Sequence, residues 1–205
     1  MNQLRKFLII LPALLAILFS IGNAFEENCD DKFVKNAALG NDIKLMERLN
    51  KGSNINSKNY NGQTALIEAA LNGKIDTVNL LIKKGADLNQ RGKNARTALM
   101  WACLADRIQM VQSLLAHGAD VNVKDRNNQN ALMLAAGKGN AACVNSLLEA
   151  GADPMAKDNN GATAYTLALG SGFKDVANTI ANYQESSQSK LDLDDLRIGA
   201  YFYVD

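Results

Sequence analysis

Catalytic or metal-binding chemistry would have to begin from very few side chains in this sequence. Its 205 residues include one histidine, His117, and three cysteines, Cys29, Cys103 and Cys143. A serine-type triad needs a base oriented beside a nucleophile, and no motif places a serine beside His117. There is no Cys-x-x-Cys pair, so neither a redox motif nor a structural zinc site is supported. We therefore predict a protein without catalytic residues, metal or cofactor.

His117 and the cysteines all have structural interpretations. His117 directly precedes Gly118 at the expected end of a helix, where the helix dipole favours a cation. Cys103 and Cys143 fall at apolar positions, and we expect them to be small buried residues. A disulfide between Cys103 and Cys143 is the alternative, since both should face neighbouring core layers. Cys29 lies outside the regular pattern, and we expect it to be an exposed thiol.

The elements that position these residues follow from an internal repeat. The tripeptide Gly-Ala-Asp begins at Gly85, Gly118 and Gly151, which sets a constant 33-residue period. A degraded copy, Gly52-Ser53-Asn54, lies one full period before the first. A fixed period of this length indicates a stacked-repeat solenoid, in which each unit buries its apolar face against its neighbours.

Each unit carries signals for two helices. Thr64-Ala65-Leu66 and its counterparts open the first helix, where a threonine hydroxyl can cap the N-terminus. Small residues such as Ala69-Ala70 allow close helix approach, and leucine pairs such as Leu114-Leu115 fill the core from the second helix. The glycine of each Gly-Ala-Asp suits a left-handed helix end, and the polar residue after it helps to turn the chain.

The pattern resembles the ankyrin repeat. Gly62-Gln63-Thr64-Ala65-Leu66 and the stretch from Leu115 to Asn122 are close to that family's signature, and the resemblance covers about residues 31 to 183. The departures are Ala65, Ala98, Ala131 and Ala164 where the family has proline, and Ile67, Met100, Met133 and Thr166 where it has histidine. The resemblance implies an all-α ankyrin-repeat solenoid of about five helix-turn-helix units with projecting β-hairpin loops.

We assign the five units to residues 31–58, 59–91, 92–124, 125–157 and 158–184, and interpret the first and last as caps. Residues 25–30 are an N-terminal flank and residues 185–205 a C-terminal tail. The tail combines a linker-like stretch, an acidic amphipathic stretch from Leu191 to Arg197, and a segment of high strand propensity from Ile198 to Val204. It can fold back over the last unit or dock on a partner.

Residues 1–24 have the layout of a secretory signal peptide. Arg5 and Lys6 precede an apolar run from Phe7 to Ile21, and Gly22-Asn23-Ala24 supplies small residues before a cleavage site. The run is shorter than the roughly 20 residues that span a bilayer, so cleavage after Ala24 is favoured over an uncleaved anchor. We therefore expect a periplasmic or secreted mature protein with no stable membrane span.

Cleavage also changes the charge balance and bears on the partner. Without Arg5 and Lys6 the chain has 20 basic and 21 acidic residues, a formal charge of −1. A near-neutral protein is a poor nucleic-acid binder, because neutralising phosphates dominates that affinity. The expected partner is therefore another protein, and a basic patch in the third unit would suit an acidic surface.

The resemblance implies that hairpin tips and the inner face of the first helices form a concave contact surface. The third unit departs most from its siblings, since Ala95 and Asp106 replace glycines and Trp101 is the only tryptophan. An aromatic residue beside arginines is typical of an interface centre. Alternatively, Trp101 packs between first helices and the charges are merely solvated. The predicted partner-binding residues are Tyr60, Asn61, Gln63, Lys93, Asn94, Arg96, Trp101, Leu104, Ala105, Arg126, Asn127 and Gln129.

Two classes of function follow from these features. The first is a non-enzymatic module that binds, inhibits, protects or scaffolds another exported protein, with a host-directed secreted effector as a variant. The second is an enzyme with an unrecognised site that uses the tail. The sequence favours the first class, because it contains no paired catalytic constellation.

Overall fold

The computed structural model of the chain describes residues 29–186. The predicted signal peptide, the first four residues of the predicted flank and residues 187–205 of the predicted tail lie outside the described residues. Those predictions therefore stay predictions.

The described residues form ten α-helices arranged as five helix-turn-helix units. The first helices of the units are α1 (Cys29–Leu39), α3 (Ala65–Leu71), α5 (Ala98–Leu104), α7 (Ala131–Lys138) and α9 (Ala164–Gly170). The second helices are α2 (Asp42–Asn50), α4 (Ile75–Lys83), α6 (Ile108–Ala116), α8 (Ala141–Glu149) and α10 (residues 174–186). Helix α1 includes two residues that we assigned to the flank, and α10 continues two residues beyond the predicted end of the last unit.

The first helices begin where the sequence predicts, because a polar side chain caps each of the last four. Thr64 Oγ1 accepts a hydrogen bond from Ile67 N at 3.3 Å, and Asn130 Oδ1 accepts one from Met133 N at 2.9 Å. Thr97 and Thr163 form the equivalent bond in their units. The cap supplies an acceptor for a helix N–H group that has no partner within the helix. These helices therefore start without the proline that the resemblance leads one to expect.

The core lies between two layers of helices. The first helices pack side by side in the order α1, α3, α5, α7 and α9, and α4, α6 and α8 form the second layer. Leu81, Leu114 and Leu147 occupy one position in successive second helices, and all three are fully buried. The alanines of the first helices are equally buried, which lets neighbouring helices approach closely. The all-α solenoid predicted from the 33-residue period is confirmed.

Side-chain bonds of one kind tie the Gly-Ala-Asp turns of successive units together. Asn56 accepts from Asp87 N (2.9 Å), Asn89 from Asp120 N (2.8 Å) and Asn122 from Asp153 N (3.0 Å), each through Oδ1. Because the bonded residues are 31 positions apart, these bonds form only when adjacent units stack. The glycine of each of these turns has a positive φ, from 82° to 85°, as the helix-end prediction requires.

The projecting loops are turns rather than strand ladders. Among residues 29–186 the only strand-like pairing is an isolated antiparallel bridge between Lys58 and Thr64. Each loop is closed by a main-chain bond across its base, such as Asn59 N to Gln63 O at 2.9 Å and Asp125 N to Gln129 O at 2.8 Å.

Candidate partner-binding surface

The loops of units two to five form one continuous ridge, which we call the hairpin ridge (residues 58–63, 91–96, 124–129 and 157–162). Main-chain bonds join neighbouring loops in its second half: Arg126 N donates to Asn94 O, and Asn159 N donates to Asn127 O, both at 3.0 Å. The loops therefore hold one another in register instead of projecting independently. Such a ridge presents side chains from several units to one partner.

Three of the four loops are closed by the same side-chain cap. In the fourth unit Asp125 Oδ1 accepts from Asn127 N at 2.8 Å and Gln129 N at 3.1 Å. In the fifth unit Asp158 Oδ1 accepts from two backbone N–H groups at 2.9 Å, and Asn59 does the same in the second unit. Both aspartates are buried, so their charges point into the loops and away from a partner.

The bonds to Asp158 change its ionisation. The hydrogen bond from Ala162 N lowers the pKa of this carboxyl, burial opposes that shift, and the bonds from Asn160 N and Gln129 add to the lowering. Hydrogen bonds to the charged form stabilise the carboxylate relative to the acid. Asp158 therefore stays ionised at a lower pH than an ordinary aspartate does.

The third loop is built differently, because Gly92 stands where the other loops have Asn or Asp. Its turn is a single 3₁₀ turn over Lys93–Ala95, and Asn94 and Ala95 have φ of 58° and 59°. Glycine has no side chain to form that cap. Gln63 Oε1 of the preceding unit instead accepts from Lys93 N at 3.0 Å, the N–H group whose counterparts Arg126 N and Asn159 N bond to main-chain oxygens of the preceding loop. A Cβ at residue 92 would overlap that Oε1, so a side chain here would displace Gln63 from Lys93 N.

This contact corrects one predicted site residue. Gln63 was expected to face a partner, but it is only 4% exposed because its side chain is turned onto the backbone of the third loop. It supports the ridge from beneath and offers no surface to a partner.

Arg96 of the third unit pairs with Asp125 of the fourth and also packs against Trp101 of its own unit. Arg96 Nε lies 3.0 Å from Asp125 Oδ2, and the guanidinium lies 5.3 Å from the centroid of the Trp101 ring. The Arg96 side chain is 18% exposed and that of Asp125 is fully buried. Trp101 is half-buried, and its Nε1 atom has no hydrogen-bond partner among the described residues. The tryptophan packs against a paired arginine, so neither of the two sequence interpretations describes it completely.

The remaining predicted contact residues divide by exposure. Tyr60 is 86% exposed. The others with exposed side chains are Asn61, Lys93, Asn94, Arg126 and Asn127. Leu104, Ala105 and Gln129 are half-buried, and Gln129 Nε2 donates to Asp158 Oδ2 at 3.3 Å. The exposed group lies at the loop tips, whereas the half-buried group supports the ridge or lines the first helices. A role in binding stays a prediction for all of them.

Sequence reasoning missed a column of basic residues on the ridge. Lys58, Arg91, Lys124 and Lys157 occupy the same loop position in successive units, and all except the half-buried Lys124 are exposed. The same spacing that revealed the Gly-Ala-Asp turns would have found this column. Because the ridge aspartates are buried, its outer surface carries positive charge although the whole chain is nearly neutral.

The residues weighed for catalysis have structural roles where they are described. His117 caps the end of α6, with Nδ1 2.8 Å from Ser113 O, which requires the proton on Nδ1. Residues 29–186 contain no group of three or more His, Cys, Asp or Glu side chains that could hold a metal ion. Over the same range no helix is long and apolar enough to cross a bilayer.

Comparison with protein families agrees with this architecture. A family profile described as ankyrin repeats in three copies matches residues 34–125, and one described as ankyrin repeats in many copies matches residues 114–168. No curated protein matches the chain. Ankyrin repeats generally mediate protein–protein interaction, and proteins built from them are typically non-enzymatic. The two matches and the five stacked units together show that this chain belongs to the ankyrin-repeat family.

Proposed function

We propose that this protein is an exported, non-enzymatic binding module whose hairpin ridge contacts an acidic surface of another protein. The observation that supports this most is the segregation of charge on the ridge. Lys58, Arg91 and Lys157 point outward in one column, whereas the carboxylates of Asp125 and Asp158 are buried beneath them. Complementary charge of this kind steers association and selects partners.

A charge-reversal pair tests the ridge. Arg91 and Arg126 are exposed on different loops, and Arg91→Glu with Arg126→Glu changes the ridge charge by four without touching a buried group. Partner capture from periplasm or culture fluid should fall at least about tenfold, because like charges across an interface are repulsive. Raising salt should weaken the wild-type complex in the same direction.

The matched control lies in the other helix layer. Lys83 and Lys84 are exposed at the end of α4, so Lys83→Glu with Lys84→Glu makes the same change of net charge away from the ridge. This control should bind as the wild type does. Equal loss in both double variants, or loss in neither, contradicts the proposed surface. Arg96 is unsuitable for this test, because a glutamate there would face the buried carboxylate of Asp125.

Export is the second part of the proposal and is tested separately. The layout of residues 1–24 supports it, with Arg5 and Lys6 before the apolar run and Ala24 before the expected cleavage. The mature protein recovered from periplasm or medium should begin at Phe25 by N-terminal sequencing. A full-length chain recovered from the cytoplasm would contradict export while leaving the ridge experiment valid.

A further inference from the structure

Three departures from the repeat meet at one point between the third and fourth units. Cys103 stands where the second and fourth units have alanine, at Ala70 and Ala136. Cys143 stands where the preceding units have Thr77 and Met110. Asp106 replaces an interhelix glycine of the sibling units and has a φ of 52°, an unfavourable conformation for a residue with a side chain.

Their side chains and backbone are in contact. Cys143 Sγ lies 3.5 Å from Asp106 Oδ1, and the thiol of Cys103 interacts with that of Cys143, which raises the pKa of the Cys103 thiol. Asn140, one turn before Cys143 in sequence, donates from Nδ2 to Cys103 O at 2.6 Å. The start of α8 is therefore held against the end of α5 by contacts on both sides of the two thiols.

Burial isolates the thiol pair from solvent. Cys103 and Cys143 are both fully buried, whereas Asp106 beside them is exposed, so the pair lies one layer beneath the surface. Cys29, at the other end of the solenoid, is exposed and does not belong to this cluster. Both thiols are free, and two thiols that meet across adjacent units are the pair from which a disulfide between those units would form.

We propose that Cys103 and Cys143 are a modification site, at which oxidation forms a disulfide that covalently joins the third and fourth units. The oxidant is a small-molecule disulfide of the glutathione class. One cysteine loses its proton and its thiolate attacks the reagent, which releases one small thiol and leaves a mixed disulfide. The second cysteine then loses its proton and attacks the protein sulfur, which releases the second small thiol. Two electrons pass from the cysteine pair to the reagent.

The surroundings of the pair set the rate of this exchange. The hydrogen bond with Cys143, burial, and the charges of Cys143 and Asp106 all raise the pKa of the Cys103 thiol. Because the thiolate is the attacking form, the exchange is slow at neutral pH and accelerates as the pH rises. The proposed export would place the protein where such oxidants persist. The test below uses purified protein and does not depend on export.

The experiment uses the mature chain with Cys29→Ala, so that the exposed thiol forms neither mixed disulfides nor dimers. The protein is incubated with glutathione disulfide at pH 8 and digested without reduction. Mass spectrometry should show the Cys103 and Cys143 peptides joined, with the loss of two hydrogens. The oxidised protein should melt about 5 °C or more above the reduced one, and dithiothreitol should reverse the shift.

The control adds Cys103→Ala, a residue that this helix position already accepts in the second and fourth units. In that variant no joined peptide and no rise in Tm should appear. Free thiols at both cysteines after prolonged oxidation of the folded protein would overturn the proposal. A joined peptide that lowers Tm would overturn it too, because the bond would then strain the stack instead of fixing it.

Discussion

The loops of the third and fourth units occupy the same place in the repeat, but different interactions close them. The fourth loop caps itself, since Asp125 accepts from two of its own backbone N–H groups. The third loop has Gly92 at that position and lacks this cap, and Gln63 of the unit before accepts instead from Lys93 N, the counterpart of Arg126 N. Both loops bond to the preceding unit, but only the fourth has a side-chain cap of its own, so the third loop takes its side-chain acceptor from the neighbouring unit.

The carboxylate of Asp125 serves both the third and the fourth unit. Asp125 closes its own loop with one oxygen and accepts from Arg96 of the third unit with the other, at 3.0 Å. The fourth loop can thus support its neighbour while remaining complete in itself. The difference teaches that this repeat tolerates the loss of a loop's own cap where the adjoining units bond to that loop, through Gln63 on one side and through Asp125 on the other. Substitutions at the two loops should therefore have unequal effects.

The largest expected effect comes from removing the shared carboxylate. Asp125→Ala leaves Arg96 unpaired and two backbone donors without their acceptor, and should lower the free energy of unfolding by about 3 kcal/mol. Asp158→Ala removes the corresponding cap of the fifth loop, where the other carboxylate oxygen contacts Gln129 and no arginine. Asp158→Ala should lower the free energy of unfolding by about half as much as Asp125→Ala does. Urea unfolding measures both, and equal losses would argue against the ion pair.

A methyl group at Gly92 tests the hydrogen bond between Gln63 and the backbone of the third loop. Gly92→Ala would make Cβ overlap Gln63 Oε1 and lie 2.8 Å from a methyl of Ile67, so Gln63 must leave Lys93 N. We expect a loss of about 2 kcal/mol in unfolding free energy. The control is Gly161→Ala in the fifth loop, where no atom lies within 4 Å and only the positive φ of 78° is costly. A control that loses as much as Gly92→Ala would contradict the close contact.

Substitution by glycine should stabilise the protein at the third loop but not at the same position of the fourth. Ala95 has a φ of 59°, which is unfavourable for alanine, so Ala95→Gly should raise the unfolding free energy by about 0.5–1 kcal/mol. Asn128, at the same position of the fourth loop, has a φ of 62° and donates to Lys157 O at 2.9 Å. Asn128→Gly should therefore give no gain. Thermal melts compare the two, and a gain in both would show that side-chain bonding is irrelevant there.

The smallest expected effect is the pH dependence of stability that Asp158 contributes. Hydrogen bonds, chiefly from Ala162 N, lower the pKa of Asp158 below its unfolded value of about 3.9. Its contribution to stability is therefore present above about pH 4 and is lost as the pH falls through the lower, folded value. Asp158→Asn should differ from the wild type at pH 6 and approach it near pH 2. A difference that stays constant over this range in urea unfolding would contradict the shift.

Sequence reasoning went furthest where interactions lie within one unit. Thr64 and Thr97 were identifiable as helix caps, because a cap bonds only three residues onward. The turn glycines were predictable for the same reason, because a left-handed helix end depends only on its own turn. Gln63 was misjudged, since its acceptor role depends on a backbone group 30 residues away. Arg96 was expected to be a free contact residue, and its pairing with Asp125 involves a residue 29 positions later.

By itself the sequence determined the period, the helix ends and the buried leucine column, since these express local preferences that recur in every unit. Only the tertiary structure decided which polar side chains face outward. Stacking brings together residues from adjacent units, and it alone buries Gln63, joins Arg96 to Asp125, brings Cys103 against Cys143, and leaves the basic column on the ridge. A side chain's exposure is set by what the neighbouring unit offers it, and no single unit contains that information.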